Sequence, residues 1–260
     1  MPFATVNGIE LYYEVHGPEN PAGEPIVFAH GAGGNHLSWW QQVPYFARTH
    51  LCVTFDHRGY GQSADAPGGP GGAAYVEDLR GLLDHLGIER ANLVAQSMGG
   101  WTCLGFALRY PERVRRLVMA DTHGGLQSPE IGAAFAAAMA ERQAPPAGVH
   151  PAAGERMASE QPALAFLYSQ IDGLNRPRTQ AELLALLANA GAPTVAEVSR
   201  LAVPVLFIVG AEDGVIPPEV IEVASGHVPG ARLERVPAAG HSVYFERPAR
   251  FNELVAEFLA

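Results

Sequence analysis

Between Leu93 and Trp101 the chain reads Leu-Val-Ala-Gln-Ser-Met-Gly-Gly-Trp, and this run constrains the fold more than any other. An apolar, β-type stretch breaks into small residues and then continues with helical spacing. A strand has to end, the chain has to turn sharply and a helix has to begin, with Ser97 at the apex. Such a turn crowds the backbone, so the positions two before and two after the serine must be nearly free of side chain. They are Ala95 and Gly99. The serine is then presented at the C-terminal edge of a sheet, over the positive end of the new helix. It can attack a carbonyl if a base and an oxyanion site are supplied elsewhere.

The flanking pattern fits that expectation. Strands are expected at residues 9–16, 26–30, 51–55, 92–96, 114–120, 203–209 and 233–236, with a hairpin turn at Val6-Asn7-Gly8-Ile9. Helices are expected at 39–47, 75–86, 98–109, 218–227 and 248–259, and a long Gly- and Pro-rich loop at 56–72. Short apolar strands separated by amphipathic helices indicate a mostly parallel sheet with helices on both faces. From about 124 to 200 the composition shifts to Ala, Leu, Glu and Pro. Ile131, Phe135 and Met139 recur every four residues, Leu183, Leu184, Leu186 and Leu187 form another apolar face, and Pro145-Pro146, Pro151, Pro162, Pro177 and Pro193 break the segment into several helices. The expected organisation is a core over 1–123, a helical cap over 124–200 and the rest of the core over 201–260.

Composition narrows the partners. Hydrophobic residues make up 48% of the chain and the formal net charge is −10, which describes a globular protein with an acidic surface. That charge disfavours nucleic acid and anionic membranes, and no basic run with interleaved aromatics argues otherwise. No apolar run is long enough to span a bilayer, and the opening Met1-Pro2-Phe3-Ala4-Thr5-Val6-Asn7-Gly8 lacks the basic and apolar regions of a signal peptide. Cys52 and Cys103 are the two cysteines; both are expected to be buried thiols, and a reducing cytoplasm is the expected location.

An activated serine needs a histidine base, and that histidine needs an acceptor on its other nitrogen. His241 follows Gly240 at the end of the last expected strand. Asp213, in Val209-Gly210-Ala211-Glu212-Asp213, follows another strand end; its rival as the acid is Asp121, in Ala120-Asp121-Thr122-His123. In a parallel sheet these strand ends share one rim, so distant residues converge. The oxyanion donors are expected to be the backbone N–H of Met98, directly after the serine, and of Ala32, in the run His30-Gly31-Ala32-Gly33-Gly34.

With those features in order, together with the loop Asp56-His57-Arg58-Gly59-Tyr60-Gly61-Gln62-Ser63, the chain resembles the α/β-hydrolase superfamily, in its capped serine-hydrolase branch near esterases and enol-lactonases. The resemblance covers about 9–260 apart from the cap. It implies an eight-stranded, mostly parallel sheet with a helical cap insertion and a Ser97, Asp213, His241 order. Ala95 departs from the glycine of G-x-S-x-G, and Gln96 stands where related esterases often carry histidine. Serine in the elbow, where related dehalogenases and epoxide hydrolases use aspartate, implies an acyl-enzyme on a small-molecule ester or lactone. Carbon–carbon bond hydrolysis of a diketone-like substrate and a non-enzymatic ligand receptor on the same fold are the alternatives. Residues considered for the substrate pocket are His30, Gly31, Trp40, Asp121, His123, Phe135, Met139 and Tyr168. No cofactor is expected. No metal is expected either, because His30 and His36 lack a ligand-spacing motif, and the 31–34 glycines lack the lysine of a phosphate loop. Asp56 and Arg58 are read as buttresses of the Gly-rich loop.

Overall fold

The computed structural model describes residues 2–19, 21–141 and 148–260; Pro145 and Pro146 lie outside them. The chain opens with a hairpin of β1 (Phe3–Val6) and β2 (Ile9–His16). Asn7 and Gly8 turn it at φ of 45° and 81°, the paired positive values that a two-residue hairpin demands. There follow β3 (Ile26–Ala29), α1 (Val43–Phe46), β4 (Cys52–Phe55), α2 (Tyr75–His85), β5 (Ala91–Gln96), α3 (Gly99–Arg109) and β6 (Val114–Ala120). Helices α4 (Pro129–Glu141), α5 (Gly154–Glu160), α6 (Pro162–Asp172), α7 (Gln180–Asn189) and α8 (Val195–Val198) come next. The chain returns to the sheet with β7 (Val205–Gly210), α9 (Pro218–Gly226), β8 (Arg232–Val236), α10 (Val243–Glu246) and α11 (Pro248–Leu259).

The eight strands lie in the order β1-β2-β4-β3-β5-β6-β7-β8. The two pairings of β2 are antiparallel and the rest are parallel. Strands β3, β5 and β7 are buried along their whole length, which is why they show no polar alternation. Their side chains still alternate between two cores. Val27, Leu93 and Phe207 face a core shared with Leu79, Phe106 and Val220, while Phe28, Val94 and Leu206 face one built on Trp39, Phe46, Phe251 and Val255. From β3 the chain winds one way to β4 and the other way to β5, so a crevice opens beyond the carboxyl ends of β3 and β5.

One expected helix is different. Residues 39–47 do not form a single helix: a tight turn over His36–Trp39 precedes the one-turn α1. Asn35 caps the turn by accepting from Leu37 N–H, and the Gln42 side chain leaves the helix direction to donate to the Tyr244 carbonyl at 2.8 Å. Pro44 then starts α1 afresh, as proline does in a first helical turn.

Candidate active site

Ser97 sits where β5 stops and α3 begins. Its backbone is left-handed, φ 48°, which costs a side-chain-bearing residue roughly 1–3 kcal/mol and is kept where function over-determines it. The sequence permits the turn by removing bulk around it. A Cβ on Gly99 would lie 2.2 Å from the Ala29 carbonyl oxygen, and one on Gly31 would lie 2.1 Å from Gln96 Oε1 and 3.0 Å from Ser97 Cβ. Ser97 N–H donates to the Ala120 carbonyl at 3.0 Å, so the ladder with β6 runs on to the apex.

Three side chains from separate strand ends meet there. Ser97 Oγ is 2.9 Å from His241 Nε2, and His241 Nδ1 is 2.8 Å from Asp213 Oδ2. The other Asp213 oxygen accepts from the N–H groups of Val215 and Ile216, at 2.8 and 2.9 Å, which fixes the carboxylate plane. Burial works to lower the His241 pKa, but the Asp213 carboxylate beside it prevails and the net shift is upward. Asp121 is close by yet does not touch the imidazole. Its oxygens accept from Gly210 N–H at 3.0 Å and Val243 N–H at 3.2 Å, and burial, reinforced by the charge of Asp213, holds its carboxyl well above the usual range. Two further residues hold the histidine loop, a role the sequence assigned to neither. Glu246 accepts from Gly240 N–H at 3.0 Å and Ser242 N–H at 3.3 Å, on either side of His241, and Gln96 Nε2 donates to the His241 carbonyl at 2.8 Å.

The backbone N–H groups of Ala32 and Met98 have no hydrogen-bond acceptor among the described residues. Both residues line the cavity that holds Ser97 and His241. The Ala32 N–H is aimed from behind. His30 Nδ1 donates to the Gly31 carbonyl at 2.8 Å and Gly34 N–H donates to it at 3.0 Å, and in a trans peptide the following N–H then points the opposite way. His30 Nε2 accepts from His57 N–H at 2.9 Å, which fixes the tautomer, and burial pushes its pKa down to about 4, so it stays neutral.

The cavity has a volume of about 820 Å³. Of the residues considered for it, His123, Phe135 and Tyr168 line it, and so do Leu183, Leu184 and Leu187. His123 is neutral there, its pKa pushed down to about 4 by burial, with Trp101 and Phe135 against its ring. The other pocket expectations need correction. His30 and Gly31 stand one step behind the wall, occupied with the peptide just described. Asp121 lies beneath the histidine loop. Trp40 is 43% exposed and packs edge-on against Phe245 on the outside of the molecule. Met139, one helical turn beyond Phe135 on α4, is 39% exposed and is not in the wall. The cavity also takes in Tyr60, Asn175, Arg176 and Arg178, which the sequence did not single out. Asp56 and Arg58 buttress the loop as read: Asp56 accepts from His36 and Gln62 N–H groups at 2.7 Å each, and Arg58 pairs with Asp78 at 2.7 Å and Asp65 at 3.0 Å.

A family model described as alpha/beta hydrolase fold matches residues 24–248. The chain belongs to the alpha/beta hydrolase fold family. Within that family it is similar to a protein of Azorhizobium caulinodans named carbamate hydrolase RutD, 28% identical over 99% of this chain and 98% of that one. It is also similar to 3-oxoadipate enol-lactonase 2 of Acinetobacter baylyi, 28% identical over 96% of this chain and 93% of that one. Among solved structures, the enol-lactonase from Burkholderia xenovorans superposes with a TM-score of 0.80 at 27% identity, covering 99% of each chain. As in other alpha/beta hydrolases, the sheet is eight-stranded and mostly parallel with helices on both faces. Among the described residues no helix is long and apolar enough to cross a membrane.

Proposed function

We propose that this alpha/beta hydrolase is a serine hydrolase that cleaves a small carboxylic ester or lactone through an acyl-enzyme. The observation that carries the reading is the unbroken hydrogen-bonded line from Ser97 Oγ through the His241 ring to Asp213. Ser97 Oγ attacks the acyl carbon and passes its proton to His241 Nε2. The new oxyanion receives the free N–H groups of Ala32 and Met98, each donor of this kind contributing roughly 100- to 1,000-fold in rate. The tetrahedral species collapses, and the leaving alkoxide takes the proton from His241. Water then attacks the ester of Ser97, gives its proton to the same nitrogen, and the serine leaves with that proton. Asp213 accepts from His241 Nδ1–H and so holds that tautomer. The relatives named as enol-lactonases support a lactone as readily as an open ester. In this reading residues 124–200 act as a cap, because α4, α6 and α7 contribute Phe135, Tyr168 and Leu183 to the wall. Two buried free thiols fit a reducing, cytoplasmic location.

The test is turnover of p-nitrophenyl acetate and butyrate, with labelling by a fluorophosphonate probe, beside Ser97→Ala. Turnover and labelling that vanish in the variant are expected. Ligand binding without turnover in either form would leave a receptor instead.

A further inference from the structure

The wall of the cavity carries one arginine that has no ion-pair partner among the described residues. Arg176 is 3.6 Å from Glu182, and His150 is 3.3 Å from Asp172. Arg178 has no carboxylate at ion-pair distance among the described residues. Its guanidinium lies 4.0 Å from the centre of the Tyr60 ring, and Nη2 donates to the Gly59 carbonyl. That leaves most of its five N–H donors without an assigned acceptor. The place is built for it. Gly59 has φ of +79°, and a Cβ there would come within 2.9 Å of Arg178 Nη2, so the loop makes room for the guanidinium by omitting a side chain. Beneath it, Tyr60 also lines the cavity, and its buried hydroxyl has no hydrogen-bond partner among the described residues. Tyr60 clusters with Met98 and Ala32, the residues that carry the two free N–H groups, so this cation stands beside the reacting end of the cavity.

We propose that Arg178, with Tyr60, is a subsite for a carboxylate on the substrate, so that the preferred ester or lactone is one that bears a second, ionised carboxyl group. The inference rests on the serine-hydrolase reading above and specifies its substrate class. A planar guanidinium stacked on an aromatic face is pre-organised for a carboxylate fork. The need for it follows from the whole chain: at a net charge of −10 the surface field repels an anion, and a local unpaired cation offsets that repulsion where binding occurs.

The experiment compares matched substrates. One pair differs on the acyl side, mono-p-nitrophenyl glutarate against p-nitrophenyl valerate. The other differs on the leaving side, 4-(carboxymethyl)phenyl butyrate against p-tolyl butyrate. In the wild-type protein kcat/KM for the carboxylate member should exceed its neutral partner by about tenfold or more in at least one pair, as charge-assisted hydrogen bonds allow, and the pair that responds tells which side the carboxylate occupies. Arg178→Gln should bring that ratio to about one, and Arg178→Lys, which keeps the charge and loses the fork, should fall between. A wild-type ratio of one or less in both pairs overturns the inference, whether or not the variants fold. An equal loss on both members in Arg178→Gln also overturns it, since that is the signature of a strut for the Gly59 loop. Brisk hydrolysis of the neutral esters with no gain from the carboxylate defeats this inference alone, whereas no hydrolysis of any ester and no labelling at Ser97 defeats the serine-hydrolase reading with it.

Discussion

At His241 two influences oppose each other, and the outcome sets the pH at which the site can work. Burial disfavours the imidazolium; the Asp213 carboxylate at 2.8 Å favours it and prevails. The ring must be neutral to take the Ser97 proton, so activity is lost as pH falls through this raised pKa. A plot of kcat/KM against pH should therefore rise with a midpoint above the ordinary imidazole value of about 6.5, and a rate flat from about pH 5 to 8 would exclude a histidine base. Asp213→Asn removes the favourable charge and leaves burial, so the midpoint should move down while kcat falls by roughly 1,000- to 10,000-fold, an amide there favouring the wrong tautomer. Asp121→Asn should cost far less activity, because its carboxyl is held toward the neutral form and bonds backbone rather than the ring. A larger loss in the second variant would reverse the assignment of the acid. Ser97 and Asp213 could be read from sequence because each follows an apolar strand at a small-residue turn, and His241 because it follows the small-residue run Ala238-Ala239-Gly240 after β8. Glu246 and Gln96 could not. Their partners are backbone groups of the histidine loop, which leave no trace in residue identity, and a glutamate after Tyr244-Phe245 reads as an exposed helix position.

Between elements, the site depends on how closely α3 approaches β3. Gly99 brings the helix so near that a Cβ would meet the Ala29 carbonyl oxygen at 2.2 Å, a backbone atom that cannot rotate away. Gly132 in α4 has nothing within 4 Å of the same built position. The two glycines look alike in sequence, each inside or at the start of a helix, and they should respond oppositely to alanine. Gly99→Ala should destabilise by about 1–3 kcal/mol or more through overpacking, whereas Gly132→Ala should be neutral or gain up to about 1 kcal/mol from helix propensity. Midpoints of urea unfolding measure both; equal midpoints would mean that α3 is free to shift off β3. The inner strands of the sheet were legible because burial on both faces leaves continuous apolar runs of about four residues, as in Ile26–Ala29 and at 117–120. Residues 39–47 were not, since side-chain bonds from Asn35 and Gln42, and not apolar periodicity, decide where that segment breaks. On α4 the four-residue spacing identified one face correctly as far as Phe135, but a short helix meeting a concave wall covers it with one turn, and Met139 falls past the edge.

Across the whole molecule, the segment between β6 and β7 is joined to the sheet by buried apolar side chains such as Ile131, Met157 and Ile171 and, at the crevice, by polar clasps, of which Asn175 is the most central. Its Nδ2 donates to the Gly34 carbonyl at 3.1 Å, its Oδ1 accepts from Gly61 N–H at 3.0 Å, and Asn35 Nδ2 donates to the Ile171 carbonyl at 2.9 Å close by. One buried amide thus ties the end of α6 to both the loop that carries Ala32 and the loop that carries Tyr60. The exposed large apolar residues Phe166, Leu174 and Leu184 all belong to this segment, so its own core is thin beside those of the sheet. A region with few buried apolar contacts opens locally well below the free energy of global unfolding. Asn175→Ala leaves a carbonyl and an N–H without partners, a cost of about 1–3 kcal/mol for each buried group so orphaned. That cost should fall on the local opening and spare the sheet. Amide exchange should quicken across 162–189 while β5, β6 and β7 keep their protection. Loss of the clasp also frees the Gly34 end of the loop that carries Ala32, so kcat should fall by roughly tenfold along with a rise in KM. If exchange instead quickens uniformly through the sheet, the segment and the sheet unfold as one unit, and the loops around Ser97 are held by the fold as a whole rather than by this clasp.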